Sequence, residues 1–141
     1  MKNFGIDQLE IQDIINITQG KEQIILNDEA KAKITQSQKN VAEIVASDRT
    51  VYGINTGFGP LCDTKISDEE TAQLQHNLII SHSVGVGKPI NKDLSKMMMI
   101  SKIHALSKGF SGVSLNMIER LITMVEKDII PVVPEQGSVG A

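Results

Sequence analysis

A glycine-rich stretch at residues 52–59, with the sequence Y-G-I-N-T-G-F-G, contains the only tyrosine of the chain, Tyr52. Glycine lets the backbone take positive φ and approach a ligand or another chain closely. A phenol in such a loop can accept or donate a proton when its pKa is drawn toward the working pH. A tight interhelical loop anchored to a core by Tyr52 and Phe58 would have the same pattern. Residue types alone therefore leave a catalytic and a structural interpretation open.

His82 is the second candidate, in the stretch S-H-S-V-G-V-G at residues 81–87. It follows Leu74 and Leu78 at helical spacing, which predicts that all three lie on one face of a helix ending near residues 85–87. A lone histidine on an apolar helix face is usually structural, whereas residues at helix ends often border pockets. His76 and His104 fit no such pattern, and we interpret both as structural or surface residues.

A third stretch, P-V-V-P-E-Q-G-S-V-G-A at residues 131–141, contains two prolines and two glycines. Prolines favour an extended path and glycines a tight turn, so this segment is predicted to be an ordered loop and not a helix. Three scattered histidines and the lone Cys62 have no metal-ligand spacing, so no metal site is expected.

These three stretches, in this order and spacing, resemble the aromatic amino acid ammonia-lyases, the family that acts on histidine, phenylalanine and tyrosine. In that family an Ala-Ser-Gly triplet cyclises into an electrophilic 4-methylidene-imidazole-5-one group, preceded by Gly-Ser-Val-Gly. Ala141 matches the first residue of the triplet, and the serine and glycine would lie beyond this chain. The resemblance implies that residues 1–141 are the N-terminal portion of a catalytic domain, inactive by itself.

The same resemblance implies roles for individual residues. Tyr52 matches the residue that removes the substrate β-proton as a phenolate, and His82 matches one that contacts the substrate side chain or helps to handle protons. Gly57, Phe58 and Gly59 would shape the loop around the substrate. Ala141 would contribute its carbonyl carbon to the ring of the prosthetic group.

For the reaction, the resemblance implies elimination of ammonia from L-histidine to give trans-urocanate. Residues 81–83 together with residues 132–137 resemble the bacterial histidine ammonia-lyases most closely, while phenylalanine or tyrosine lyases and aminomutases of the same family are the alternatives. Active sites of this family combine residues from three subunits of a homotetramer, so a homotetramer is expected for the complete protein. A different class of alternative is an inactive helical module that binds lyase subunits, which would require that no Ser-Gly follow Ala141.

Composition is ordinary for a globular protein, with 40% hydrophobic and 22% charged residues and a net charge of -3. Acidic and basic residues are interspersed, which gives no reason to expect nucleic acid or a membrane surface as a partner. No apolar run reaches the roughly 18 residues that a membrane span needs, and the N-terminus lacks the apolar core of a signal peptide. A cytoplasmic location is the default expectation. Aromatic residues are scarce at 3%, so aliphatic residues and the six methionines should fill the core.

The periodicity of apolar residues predicts a mainly α chain, the front part of a large helical-bundle lyase fold, with at most a short N-terminal strand pair. A short helix is expected after a cap at Asp7, and an extended segment at residues 22–26 should pair near residues 4–6. Longer helices are expected from Asn27 or Asp28 to about residue 45, from the S-x-x-E capping box at Ser67, from Asn91 to Gly109, and from Ser111 or Ser114 to residue 127. The third of these is apolar almost all round, which is typical of a helix buried on several sides.

Overall fold

The computed structural model describes residues 1–47, 49–56 and 68–137, without the side chains of residues 68, 69, 71 and 72. Over these ranges the structure contains five helices and four short strands. In chain order they are β1 (Lys2–Asn3), α1 (Ile11–Thr18), β2 (Ile24–Ile25), α2 (Asp28–Val45), α3 (Asp68–His82), β3 (Gly85–Pro89), α4 (Lys92–Ser107), α5 (Leu115–Glu126) and β4 (Pro134–Gly137). The predicted mainly α class is confirmed. The capping box predicted at Ser67 lies outside the described residues.

The chain divides into two compact units. One comprises residues 1–40 and 89–133, and the other comprises residues 41–88 and 134–141. Both units are therefore assembled from two separate stretches of the sequence. No helix within the described residues is long and apolar enough to cross a lipid bilayer.

The first unit is built around α4, which packs against both α1 and α5. Its buried cluster is almost entirely aliphatic and consists of Phe4, Ile17, Ile24, Ile34, Ile100, Ile103, Leu106, Ile118, Ile122 and Val125. The expectation that aliphatic residues replace aromatic ones is confirmed. Of the methionines, Met99 packs against this cluster, whereas Met98 is 55% exposed.

Helix termini of the first unit follow the predicted caps. Asn27 Oδ1 accepts a hydrogen bond from the Ala30 amide, and Asn91 Oδ1 accepts one from the Asp93 amide. Ser114 Oγ caps α5 through the Met117 amide, which selects it over Ser111. Each of these bonds satisfies an amide that the first helical turn leaves without a backbone acceptor.

The first helix begins later than predicted. Glu10 is its N-cap residue, and Asp13 accepts a hydrogen bond from the Glu10 amide at 2.8 Å. Asp7 instead accepts the amide and side-chain amide of Asn3, which closes the turn after β1. The capping box lies about one turn later than predicted, because Asp7 accepts hydrogen bonds from Asn3 in the preceding strand.

The N-terminal strand pair is confirmed, with β1 and β2 parallel and Lys2 opposite Ile24. Strand β2 pairs with residues 2–3, slightly before the expected residues 4–6. A salt bridge of 2.7 Å between Lys2 and Asp13 joins this strand to α1. The pKa of Asp13 lies below its ordinary value because Lys2 donates a hydrogen bond to its carboxylate.

One face of α4 is buried, through Ser95, Ile100, Ile103, His104, Leu106 and Ser107. Leu94 and Met98 on another face are more than half exposed. Burial of this helix on several sides, in a larger bundle or a subunit interface, stays a prediction for the complete protein. The predicted C-terminal glycine is confirmed, since Gly109 follows the helix with φ of +78°.

The second unit contains the turn at residues 51–56, helix α3 and the strands β3 and β4. Helix α3 ends at His82, and the glycines expected to terminate it begin a strand instead. That strand, β3, is hydrogen-bonded to β4, so the fold has a second strand pair that was not predicted. Its partner, β4, forms within the segment expected to be a loop.

Candidate active site

Tyr52 lies in a tight turn, and its side chain is 62% exposed. The carbonyl oxygen of Val51, the residue before it, accepts hydrogen bonds from the amides of Ile54 and Asn55 at 3.1 and 3.3 Å. Gly53, the residue after Tyr52, has φ of +79°, a conformation that glycine takes without a steric penalty. The turn therefore holds the backbone on both sides of Tyr52, while more than half of the residue stays exposed.

Two polar side chains at the end of this turn are buried. Asn55 is 6% exposed and Thr56 is 2% exposed. Sequence reasoning treated this part of the stretch as a glycine loop around an aromatic residue and missed both. An asparagine between turn residues is itself a signal, because its side chain commonly bonds to nearby backbone groups.

His82 is the last residue of α3, and its side chain is exposed. Its Nδ1 lies 3.0 Å from the carbonyl oxygen of Leu78, one helical turn earlier, and 3.0 Å from Ser81 Oγ. A carbonyl oxygen can only accept, so the Leu78 contact is a hydrogen bond when Nδ1 carries the proton. In neutral imidazole this leaves Nε2 as the nitrogen that can accept a proton or a hydrogen bond.

The predicted face of α3 is borne out along one line of residues. Leu74 and Leu78 are half-buried, and the Nδ1 contact confirms that His82 continues the same line. His76 lies on the same helix and is exposed. Ile79 and Ile80, at 69% and 62% exposure, extend the apolar surface toward the end of the helix.

Strands β3 and β4 bring the second and third sequence stretches together. A Cβ atom at Gly85 would lie 2.5 Å from Pro134 Cγ, and one at Gly137 would lie 2.8 Å from the Val84 carbonyl oxygen. Neither distance leaves room for a side chain, so glycine is required for this approach. The strand pair thus places residues 134–137, which precede Ala141 in the sequence, beside the backbone of Val84 and Gly85, just after His82.

Part of the predicted site lies outside the described residues, namely Gly57, Phe58, Gly59 and Ala141, together with Cys62. Tyr52, His82 and β4 belong to the same compact unit. Within the residues that the structure describes, no three histidine, cysteine, aspartate or glutamate side chains converge as metal ligands.

His104 is structural, as predicted. It is 7% exposed, its Nδ1 accepts a hydrogen bond from the Gly5 amide at 3.4 Å, and its ring meets Phe4 edge-on with centroids 5.2 Å apart. Burial holds the pKa of His104 below its ordinary value, and the nearby Lys108 acts in the same direction. The side chain thus links the N-terminal segment to α4.

Residues 9–141 match the sequence model of the family described as aromatic amino acid lyase. Histidine ammonia-lyase from Alkaliphilus oremlandii is 46% identical over the whole chain, which spans 28% of that relative's length. The chain therefore corresponds to just over a quarter of the curated relatives that it matches.

Solved structures agree in fold. Histidine ammonia-lyase from Trypanosoma cruzi aligns with a TM-score of 0.79 and 34% identity, over 92% of this chain and 25% of that one. Tyrosine aminomutase from Streptomyces globisporus aligns with a TM-score of 0.84 and 27% identity, over 94% of this chain and 25% of that one. The family match covers nearly the full sequence, and the chain belongs to the aromatic amino acid lyases.

Proposed function

We propose that the protein carrying this chain is a histidine ammonia-lyase, which eliminates ammonia from L-histidine to give trans-urocanate. The geometry that supports this most directly is the exposed position of Tyr52 on a closed turn in the same compact unit as His82. Relatives named histidine ammonia-lyase at 40–46% identity support the choice of substrate.

In the proposed reaction Tyr52 acts as the base. Its phenolate oxygen takes the β-proton of the substrate, the electron pair of that C–H bond forms the α,β double bond, and the α-ammonium group leaves as neutral ammonia with the electron pair of the C–N bond. The β-proton is weakly acidic, so the base must be held at hydrogen-bond distance from it. The closed turn around Tyr52 supports this role, because it limits the movement of the backbone that carries the phenol.

His82 would bind the substrate side chain. In the tautomer that carries its proton on Nδ1, which lies 3.0 Å from the Leu78 carbonyl oxygen, Nε2 would accept a hydrogen bond from the protonated nitrogen of the substrate imidazole. This arrangement supports recognition of a polar aromatic side chain.

A 4-methylidene-imidazole-5-one group formed from Ala141 and a following Ser-Gly would supply the electrophile that activates the amine as a leaving group. The chain fits such a group in one respect, because Gly137 passes against the Val84 backbone and Ala141 follows four residues later in the sequence. Four residues span at most about 14 Å, so the triplet would begin within that distance of residue 137. Gly57, Phe58 and Gly59 would complete the loop around the substrate.

The complete enzyme is proposed to be a cytoplasmic homotetramer. A tyrosine or phenylalanine lyase, or an aminomutase, is the second candidate, and the TM-score of 0.84 to a tyrosine aminomutase favours it at the level of fold. The inactive helical module remains the alternative if no Ser-Gly follows Ala141.

The test is to measure the purified protein for trans-urocanate formation from L-histidine by ultraviolet absorbance, with L-tyrosine and L-phenylalanine in parallel. Intact mass and C-terminal peptide sequencing of the same sample would establish whether a dehydrated Ala-Ser-Gly ring is present. We expect the ring and a preference for histidine. A ring with preference for another amino acid would support the second candidate, and a chain that ends at Ala141 would support the inactive module.

A further inference from the structure

Asn55 is buried beside the turn that carries Tyr52, and its side-chain amide makes two hydrogen bonds there. Its Oδ1 accepts from the Val51 amide at 2.8 Å, and its Nδ2 donates to the Arg49 carbonyl oxygen at 2.8 Å. The amide thus joins two backbone groups on either side of Thr50. A side chain of this length that both donates and accepts is specific to asparagine, since aspartate can only accept when ionised.

The backbone of Val51 is held at both of its polar groups. Its amide donates to Asn55 Oδ1, and its carbonyl oxygen accepts from the amides of Ile54 and Asn55. Tyr52 follows directly, so its backbone starts from a residue that cannot rotate without breaking these bonds. A change in the backbone of Val51 would therefore be passed on to the position of Tyr52, which is 62% exposed.

From this geometry we propose that Asn55 is a positioning residue for Tyr52. The inference depends on the proposed role of Tyr52 as the base. Proton transfer requires the phenol oxygen at roughly 3 Å from the proton that it removes, and a displacement of about 1 Å can cost about 100-fold in rate. Asn55 touches neither substrate nor reacting atoms in this account. It acts through the backbone of residues 49–51.

The test uses the complete enzyme with Asn55→Asp and Asn55→Ala, each normalised to its content of prosthetic group by absorbance. Aspartate keeps the acceptor for Val51 but turns an oxygen toward the Arg49 carbonyl oxygen, while alanine removes both bonds. For both variants we expect kcat to fall about 10- to 100-fold with KM changed less than about threefold. The primary isotope effect with β-deuterated histidine should rise, because proton removal becomes the slow step.

A structural role alone would lower the content of folded, ring-containing enzyme without raising the isotope effect per ring. Amide exchange at residues 51–55, followed by mass spectrometry, gives a readout besides activity, and we expect faster exchange in both variants. Asn40→Ala is the matched control, because Asn40 is an exposed helical asparagine with one side-chain hydrogen bond from Gln36. It should leave kcat, the isotope effect and exchange at residues 51–55 unchanged.

Failure of this inference is distinct from failure of the proposed function. Wild-type kcat and isotope effect in both Asn55 variants, while Tyr52→Phe is inactive, would overturn the positioning role and leave the base in place. Full turnover by Tyr52→Phe would show that Tyr52 is not the base, and the positioning role of Asn55 would be overturned with it. Absence of urocanate in the wild-type protein, with the ring present, would overturn the choice of substrate, and the same isotope-effect comparison would then use the amino acid that is turned over.

Discussion

Gly137 lies against the backbone of Val84, so closely that a Cβ atom on Gly137 would be 2.8 Å from the Val84 carbonyl oxygen. Gly137→Ala should therefore separate β4 from the segment after His82 and disturb the path toward Ala141. We expect slower or incomplete formation of the prosthetic group, measured by its absorbance after expression. Gln136→Ala, at the exposed neighbouring position, is the control and should form the group normally. Normal formation in both variants would argue against the close approach.

Tyr52→Phe removes the phenol oxygen and keeps the ring. If Tyr52 is the base, turnover of histidine should fall by at least about 100-fold, the lower end of what a positioned base contributes. Ring closure of the Ala-Ser-Gly triplet does not use this base, so the prosthetic group should still form. Steady-state kinetics on protein with a verified ring provide the measurement, and retained turnover would refute the role.

His82→Leu keeps a side chain of similar bulk at the end of α3 and removes the nitrogen proposed to bind the substrate ring. We expect kcat/KM for histidine to fall about 10- to 100-fold, which corresponds to loss of one or two hydrogen bonds to a polar substrate. Activity toward tyrosine or phenylalanine, if present, should change less. His76→Leu provides the control, since His76 is exposed on the same helix six residues earlier. Equal effects of the two variants would return His82 to a structural role.

Gly5 and Gly20 both have positive φ, at +82° and +71°, but differ in their surroundings. A Cβ atom on Gly5 would lie 2.2 Å from the Ser107 carbonyl oxygen, whereas one on Gly20 meets nothing within 4 Å. Gly20→Ala should cost about 1 kcal/mol in the free energy of unfolding, because of backbone strain alone. Gly5→Ala should cost about 3 kcal/mol or more, since α4 must also move. Urea unfolding of both variants measures the difference, and similar costs would contradict the close packing of the N-terminal segment on α4.

Burial lowers the pKa of His104 in the fold, and the nearby Lys108 acts in the same direction. Below about pH 6.5 the unfolded chain binds a proton at this position that the folded chain does not. Stability contributed by neutral His104 should therefore be complete above about pH 6.5 and be lost as the pH falls toward the depressed folded pKa. His104→Asn retains an acceptor for the Gly5 amide and cannot titrate.

The measurement compares the thermal unfolding midpoints of wild type and His104→Asn from pH 7.5 to 5. Asp7 on the N-terminal segment and Lys2 on β1 are the other charged groups acting on His104, besides Lys108 on its own helix. Both groups are retained in the variant, so the difference between the two proteins reports the titration of His104. The wild type should lose more stability on acidification than the variant, and parallel curves would show that His104 does not carry the pH dependence.

Most helix positions could be predicted from the sequence because they depend on local interactions. Asn27, Asn91 and Ser114 each cap a helix through an amide two or three residues away, and such signals are visible in the order of residues. Asp7 shows the limit of that reasoning, because its oxygens are taken by Asn3 in the preceding strand and the helix begins at Ile11. Which of two possible hydrogen-bond partners a side chain takes depends on the fold, so the local sequence does not decide it.

The second strand pair could not be predicted from local pattern. β3 contains glycines that resemble a helix terminator, and its partner β4 lies beyond two intervening helices. The candidate site divides in the same way. Tyr52 and His82 stand out by residue type and motif, whereas Asn55 emerges as a candidate from two hydrogen bonds that only the folded turn reveals.

The pairing of β3 with β4 also constrains the order in which the chain can fold during synthesis. Helices α4 and α5 are translated between the two strands, so residues 85–89 leave the ribosome long before their partner at residues 134–137. Val125 is the last residue of the buried cluster to be synthesised, so the first unit can pack before β4 is made. The segment that follows His82 therefore gains its strand partner only after α4 and α5 have been synthesised, so the close approach of Gly137 to Val84 forms later than the first contacts between these two helices.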